Sequence, residues 1–367
     1  MSGLCMDTLK GRPADDGFSM PAEFSPHRAT IMIFPVRPGS WPNGARKARE
    51  VFAGIIKQVA LSEMVYVIVD DRTKDAALKL LKDTDNISFV DIRTDDAWAR
   101  DTAPTFVTKG SEVRGVNWSF NAWGGTYNGL YGYWDNDNAL AGRFLRECGF
   151  KMYDAAPFVL EGGSIHSNGK DTLLVTEECL LSPGRNPDLT REQIEGMLRA
   201  YTGMKRILWL PYGIYNDETD GHVDNIAAFT GINDVVLAWT DNREDPQYER
   251  SLAGLKVLEG AGITVHKLPI PDVPVLIGEE DLEGYEFEEG EDIREAGERL
   301  AASYVNFYFT NDSVLLPCFG GDNTESDKRA VDIMSKLCPG RKIVPVYARD
   351  IIAGGGNIHC ITQQIPL

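Results

Sequence analysis

Apolar positions along this chain switch between two periods, and the switching predicts strands interleaved with helices. "RATIMIFP" (28–35) and "EMVYVIVDD" (63–71) are short, nearly unbroken apolar runs, the pattern of strands covered on both faces. Between them "GARKAREVFAGIIKQVALS" (44–62) carries apolar residues at helical spacing, as does "TKDAALKLLKD" (73–83) after them. A helix over 190–202 is opened by Thr190-x-x-Gln193, a capping-box pattern, and others are predicted near 246–259 and 325–338. Strands are predicted at 206–211, 235–240, 263–270, 305–311, 313–318 and 342–347. No Ser/Gly/Pro-rich linker divides the chain, and the acidic stretch "GEEDLEGYEFEEGED" (278–292) reads as an exposed, solvated loop.

A doubly wound sheet would fit this order, but an internal echo points elsewhere. "EGGSIHS" (161–167) returns 193 residues later as "GGGNIHC" (354–360), sharing Gly-Gly-x-Ile-His and differing at both ends. "TDGHVDN" (219–225) and "DAWARDTAP" (96–104) hold comparable polar clusters. Asp101, Glu161, His222 and Cys360 are spaced by 60, 61 and 138 residues, the last being twice 69. Such a period predicts a repeated unit of several strands and a helix. Five units of about 73 residues fill the chain, and repeats set around an axis bring equivalent strand ends together at the centre. The expectation is one catalytic domain over 1–367, built of about five repeats of roughly 60–73 residues.

Composition narrows the function. Of 367 residues 43% are hydrophobic and 25% charged, ample for a buried core. A formal net charge of −18 argues against nucleic acid as partner and is compatible with a cationic small molecule. No window approaches a membrane span, and "MSGLCMDTLKGRPADDGF" at the N-terminus has no secretory pattern. The six cysteines (Cys5, Cys148, Cys179, Cys318, Cys338, Cys360) lack CxxC spacing and read as reduced thiols of a cytoplasmic protein.

Cys360 stands apart because Gly354, Gly355 and Gly356 deliver it on backbone that can approach a ligand closely. His359 precedes it but would face the other way on a strand, so His359 and His166 are expected to orient their turns. His222 is the better base: Asp224, two residues on, would share its face on an extended segment and orient the ring. A metal pair is the alternative there, but five histidines and no further His or Cys cluster argue against one. Asp101, Glu161, Asp220 and Asp224 are acids beside glycine or aromatic residues. Facing one pocket they would repel unless a cation lay between them, and a planar guanidinium accommodates paired carboxylates. Trp98 and Trp123 could lay indole faces against such a cation or its alkyl stem.

"DDAWARDTAPTF", "FNAWGG", "FVLEGGSIHSNG", "LLVTEECLL", "NDETDGHVDN" and "GGGNIHCITQQIP", six motifs in order, resemble the agmatine deiminases of the guanidino-modifying superfamily. The resemblance begins near residue 20 and runs to the end. It implies the five-bladed α/β propeller (pentein) of ββαβ repeats. It also implies Cys360 as nucleophile, His222 as acid and base, and Glu161 as the carboxylate that works with the histidine. Asp101 and Asp224 would grip the guanidinium, with Trp98 and Glu218 around the alkyl chain and amine. No metal or organic cofactor is implied. Ala103 departs from the glycine expected at its position. Free arginine, methylated arginine and peptidyl arginine are the alternative substrates, and a non-catalytic polyamine binder is a third reading. A homo-oligomer is left open.

Overall fold

A computed structural model describes residues 8–367, and its strands form five sheets. Each sheet repeats one plan. An inner strand runs antiparallel to a second, a helix crosses over, and a third strand returns parallel to the second. Parallel pairing requires such a crossover, so the alternation seen in the sequence becomes the blade. The second blade shows it in full: Thr105–Lys109, Glu112–Ser119, helix Asp135–Glu147 and Met152–Val159. The third blade uses His166–Ser167, Thr172–Thr176, helix Arg191–Thr202 and Arg206–Leu210. The fourth runs from Ala227–Gly231 to Thr264–Pro269, and the fifth from Tyr308–Phe309 to Lys342–Tyr347.

The first blade is assembled from both ends of the chain. Its second strand, His27–Ile33, pairs in parallel with Met64–Val69 and antiparallel with the C-terminal strand Gln363–Pro366, where Gln364 lies opposite Thr30. The helix Arg46–Val59 covers this sheet with Phe52, Ile55, Ile56 and Val59, each buried. Each such side chain contributes about 1.5–3 kcal/mol of burial free energy. The five-bladed architecture expected from the resemblance is the one observed.

The period has a structural origin. The inner strands begin at Thr105, His166 and Ala227, 61 residues apart each time. From Ala227 to Tyr308 the interval is 81, because residues 270–307 leave the fourth blade and build a long excursion before the fifth begins. That excursion corrects the reading of 278–292 as merely solvated: Glu291 is nearly buried and ion-paired to Arg37, and the neighbouring residues overhang a central pocket.

Predicted elements otherwise fall within a few residues of the observed ones, and the Thr190–Gln193 capping box is present in both directions. Two differ. The strand predicted over 305–311 shrinks to Tyr308–Phe309, since residues before it turn inward. The helix Asp135–Glu147, "DNDNALAGRFLRE", was not anticipated, because its first turn is wholly polar and only Leu140, Ala141, Phe144 and Leu145 supply an apolar face.

The echo also needs correcting. His166 begins an inner strand directly, whereas His359 lies in a turn four residues ahead of the strand at Gln363. The two phrases are alike in letters but not in register. They nevertheless meet, with their imidazole rings stacked 6.1 Å apart.

Candidate active site

The candidate catalytic groups sit on short turns that lead into inner strands, whereas Trp123 follows the second strand of its blade. Asp101 lies in the one-turn helix Ala99–Thr102 before Thr105, Glu161 before the turn Gly162–Ser164, and His222 and Asp224 at the one-turn helix Val223–Ile226 before Ala227. Cys360 occupies the turn before Gln363. Four such turns around an axis converge, so residues far apart in sequence meet at one pocket, with Glu161 and Asp224 fully buried outside its lining. Trp98, Asp101, Trp123, Glu218, His222, Gly355, Gly356 and Cys360 all line it, joined by Tyr131, Asn225 and residues 291–294 of the excursion.

Close packing of backbone makes the turns possible. Gly355 adopts φ 117°, and a side chain there would meet Arg294 and Glu218 at 2.6 and 2.8 Å. Gly163 is equally constrained: a Cβ would lie 2.5 Å from His222 Nδ1 and 2.9 Å from Asp101 Oδ1. Ala103, by contrast, has φ −81° and ψ 162°, an ordinary extended conformation, so its methyl causes no strain.

The Cys360 Sγ lies 3.4 Å from Asn306 Nδ2 and 3.9 Å from Asp224 Oδ2. Burial, followed by the nearby Asp224 and Asp101, pushes its thiol pKa well up. His222 is 1% exposed, with Nδ1 3.9 Å from Asp101 and Nε2 3.9 Å from Glu161. Burial lowers its pKa to about 3, outweighing Asp224, so these surroundings hold the ring neutral. Asp101 accepts from Trp123 Nε1 (2.8 Å) and Gly163 N (2.9 Å). Burial, then Asp224 and Glu161, raise its pKa to about 8. Burial also raises Glu161, against the pull of Arg185. Arg185 Nε is 2.8 Å from Glu161 Oε1, close enough to pair in charge but not aligned as a hydrogen bond.

The consequence is a set of buried polar atoms without an aligned protein partner. Glu161 Oε2, Asp224 Oδ1 and His222 Nε2 are in this position, while Glu161 Oε1 faces only the Arg185 cation. Buried polar atoms are nearly always hydrogen-bonded, so three together leave room for a ligand that supplies donors.

Several expectations change. His222 begins a short helix instead of standing on extended backbone, and its neighbours at 3.9 Å are Asp101 and Glu161. Asp224 Oδ2 accepts from His359 Nδ1 at 2.7 Å, which makes His359 a direct contact of the site and not only a turn residue. Asp220 is used elsewhere, bound to Asn128, Ser182 and Arg185. Glu218 lines the pocket but is held by both Arg294 guanidinium nitrogens, Nη2 at 2.9 Å. Trp123 meets Asp101 with its N–H edge, and Trp98 donates its own N–H to Asp96 and Tyr131. Asn306, Arg185, Arg294, Tyr131 and Glu23 went unremarked in the sequence. None lies in a quoted motif, and only the fold brings them near.

The expectation that no His or Cys cluster could complete a metal site also needs amending. Donor atoms of Glu161, Cys179 and His222 lie within 4.8 Å of one another, as do those of Glu23, His166 and His359. In the second set the oxygens of Glu23 are already taken by His359, Arg100 and the Phe309 N–H. In the first, Glu161 Oε1 already faces the Arg185 cation at 2.8 Å, and burial pushes the Cys179 thiol well up, away from the thiolate a metal needs. Among the described residues Cys148, Cys179, Cys318, Cys338 and Cys360 are free thiols, and Cys5 lies outside those residues.

Residues 19–366 match the profile of the Porphyromonas-type peptidyl-arginine deiminase family. The chain belongs to that family. Among curated relatives, the agmatine deiminase of Ectopseudomonas mendocina strain ymp is 48% identical over 368 residues, 98% of this chain and 99% of that one. The structure of the agmatine deiminase of Enterococcus faecalis superposes with a TM-score of 0.92 at 38% identity, covering 98% of both chains. An agmatine deiminase of C. jejuni with substrate bound superposes with a TM-score of 0.80 at 26% identity, over 95% of this chain and 96% of that chain. The resemblance read from the six motifs is therefore borne out over nearly the full length of the family's fold.

Proposed function

We propose that this protein hydrolyses the guanidino group of agmatine to N-carbamoylputrescine and ammonia. The observation that carries the reading is the group of unpartnered buried acceptors beside Cys360. A substituted guanidinium is planar and offers five N–H donors, which suits carboxylate oxygens ringing a thiol.

The chemistry follows from the protonation states. The empty pocket holds a Cys360 thiol and a neutral His222. A guanidinium bound between Asp101, Glu161 and Asp224 supplies positive charge that stabilises the thiolate, and the thiol proton passes to His222. Glu161 and Asp101, each 3.9 Å from the ring, favour the imidazolium so formed. The sulfur attacks the guanidinium carbon, His222 returns the proton to the departing nitrogen, and ammonia leaves an S-alkylthiouronium. Neutral His222 then takes a proton from water, whose oxygen bonds to the same carbon as the C–S bond breaks. A substituted urea is released and the cysteine recovered.

The far end of the pocket favours an ammonium over a carboxylate. Glu218, Glu291, Asp292 and Glu298 line it against the single Arg294 among the described lining residues, and that cation is already paired. The reading therefore places the agmatine amine there, with Trp98 and Trp123 along the alkyl stem. The family's description supports a second reading, peptidyl arginine, whose chain would have to leave through the same acidic rim. Ammonia release from agmatine, arginine, methylated arginine and a peptidyl arginine tests both. Agmatine is expected to lead in kcat/KM by about 100-fold or more, the scale on which a mispaired polar end is rejected. Equal rates with arginine would overturn the assignment.

The lining runs from Gly39 to Cys360, which supports treating the chain as one catalytic unit of five repeats. No helix among the described residues is long and apolar enough to cross a membrane. The free thiols support a cytoplasmic site of action, and sedimentation would read whether the chain forms a homo-oligomer.

A further inference from the structure

Glu23 belongs to no blade. It precedes the first blade's strand His27–Ile33, yet it is 4% exposed. Its Oε2 lies 2.7 Å from His359 Nε2 and 3.0 Å from Arg100 Nη2, and its Oε1 accepts the Phe309 N–H at 3.1 Å. His359 Nδ1 is in turn 2.7 Å from Asp224 Oδ2. Arg100, besides holding Glu23, is adjacent to Asp101, and its backbone N–H donates to the Cys360 carbonyl at 3.0 Å. Two of the turns that build the pocket thus end on one carboxylate, and a third reaches it through His359.

The geometry fixes the charge on His359. Each ring nitrogen faces a carboxylate oxygen at hydrogen-bond distance. A neutral imidazole has one N–H and one lone pair, so it would set that lone pair against a carboxylate. Glu23 and Asp224 are both held below the usual carboxylate range although burial opposes it, and between two ionised carboxylates both contacts are satisfied together only by the imidazolium. Burial first and Arg100 second oppose the charge, yet Glu23 and Asp224 together outweigh them and raise the ring's pKa, while His166, stacked at 6.1 Å, has its own pKa lowered to about 4 by burial. The tie also decides which oxygen of Asp224 is free. Oδ2 is bound to His359, whereas Oδ1 is buried without a donor.

We propose that Glu23 is a positioning residue for the deiminase reaction: it holds His359 as an imidazolium, and that ion fixes Asp224 with one oxygen presented to the guanidinium. This rests on the agmatine reading above. Glu23→Gln keeps shape and burial but removes the charge. His359 in that variant retains only Asp224 as an anionic partner and loses its second proton as pH rises through the neutral range, releasing the charge-assisted tie to Asp224.

The test is kcat/KM for agmatine against pH for the wild type, Glu23→Gln and Glu23→Asp, with thermal unfolding alongside. Expected is a loss of about tenfold or more in Glu23→Gln at alkaline pH, the scale of one hydrogen bond to a charged group. That loss should shrink toward acid and be largely recovered in Glu23→Asp. A loss below about twofold at every pH, or one independent of pH and matched by lost folded protein, would overturn the role. If Glu23→Gln does not fold, nitrogen-15 NMR of the wild-type histidines decides. Expected at pH 8 is one imidazole protonated on both nitrogens whose signal disappears in His359→Gln; a singly protonated His359 would overturn the proposal. A wild type that releases no ammonia from agmatine would instead refute the reading beneath it.

Discussion

At the scale of single residues, the proposed mechanism leaves Cys360 unreactive until a cation arrives. Burial and two neighbouring carboxylates keep Cys360 as a thiol, and burial keeps His222 neutral, so the pair stays dormant without a cation between the acids. Cys360→Ser should therefore lower turnover by several orders of magnitude with no change in thermal unfolding, because a hydroxyl in the same place is a far weaker nucleophile. His222→Gln should cost roughly 10²- to 10⁴-fold in kcat, the usual contribution of a positioned acid and base. Steady-state ammonia release measures both, and wild-type rates in either variant would remove the covalent mechanism. Arg294 makes a different prediction. It neutralises Glu218 where the amine is proposed to rest. Arg294→Ala should free that carboxylate and lower KM for agmatine while leaving kcat within about twofold, since an ammonium at the far end is bound alike in ground and transition states. A raised KM would instead show that Arg294 holds Glu218 in its working orientation.

Elements explain why some of this was legible and some was not. Asp101, Glu161, His222 and Cys360 were visible because each precedes an inner strand of a repeated unit, and repetition leaves a period. The Gly-Gly-x-Ile-His echo misled in detail, since one copy starts a strand and the other lies in a turn four residues ahead of one. Glu23 left no mark because it sits outside the repeats and reaches His359 across 336 positions. The Arg294 that holds Glu218 left no mark because it lies 76 residues away on the excursion. Two glycines test the turns against the helices. Gly163 faces the pocket with no room for a methyl, so Gly163→Ala should displace His222 or Asp101 and abolish most activity. Gly196 sits in the helix Arg191–Thr202 with nothing within 4 Å of an added Cβ. Gly196→Ala should leave activity intact and stabilise the fold by roughly 0.5–1 kcal/mol through helix propensity. Urea unfolding and activity on the two variants should give opposite outcomes; equal behaviour would mean that the turn is more pliant than its packing implies.

For the whole molecule, the propeller gathers carboxylates from several blades onto one axis, and the cost of that gathering depends on pH. Burial, Asp224 and Glu161 raise Asp101 from an ordinary carboxylate value to about 8. A raised acid stabilises the fold fully below its unfolded pKa, near 4, and that contribution is lost as pH rises through 8. Asp101→Asn is neutral throughout, so its stability relative to the wild type should grow from pH 5 to pH 8. Binding has the opposite sign. A guanidinium requires the ionised carboxylate, so the site must release a proton to accept it below pH 8. In Cys360→Ser, which should bind agmatine without turning it over, the association constant is expected to climb with pH up to about 8 and level off above. The limiting slope should be about one decade per pH unit for each proton released. Titration calorimetry in two buffers of different ionisation enthalpy counts those protons directly, and at least a substantial fraction of one should appear at pH 7. High salt should slow association, because the overall charge of −18 steers a cation over a distance that ions screen, but it should leave the proton count unchanged. An association constant flat from pH 6 to pH 9, with no proton released, would mean that Asp101 is already ionised in the empty pocket and that some other charge balances the converging acids.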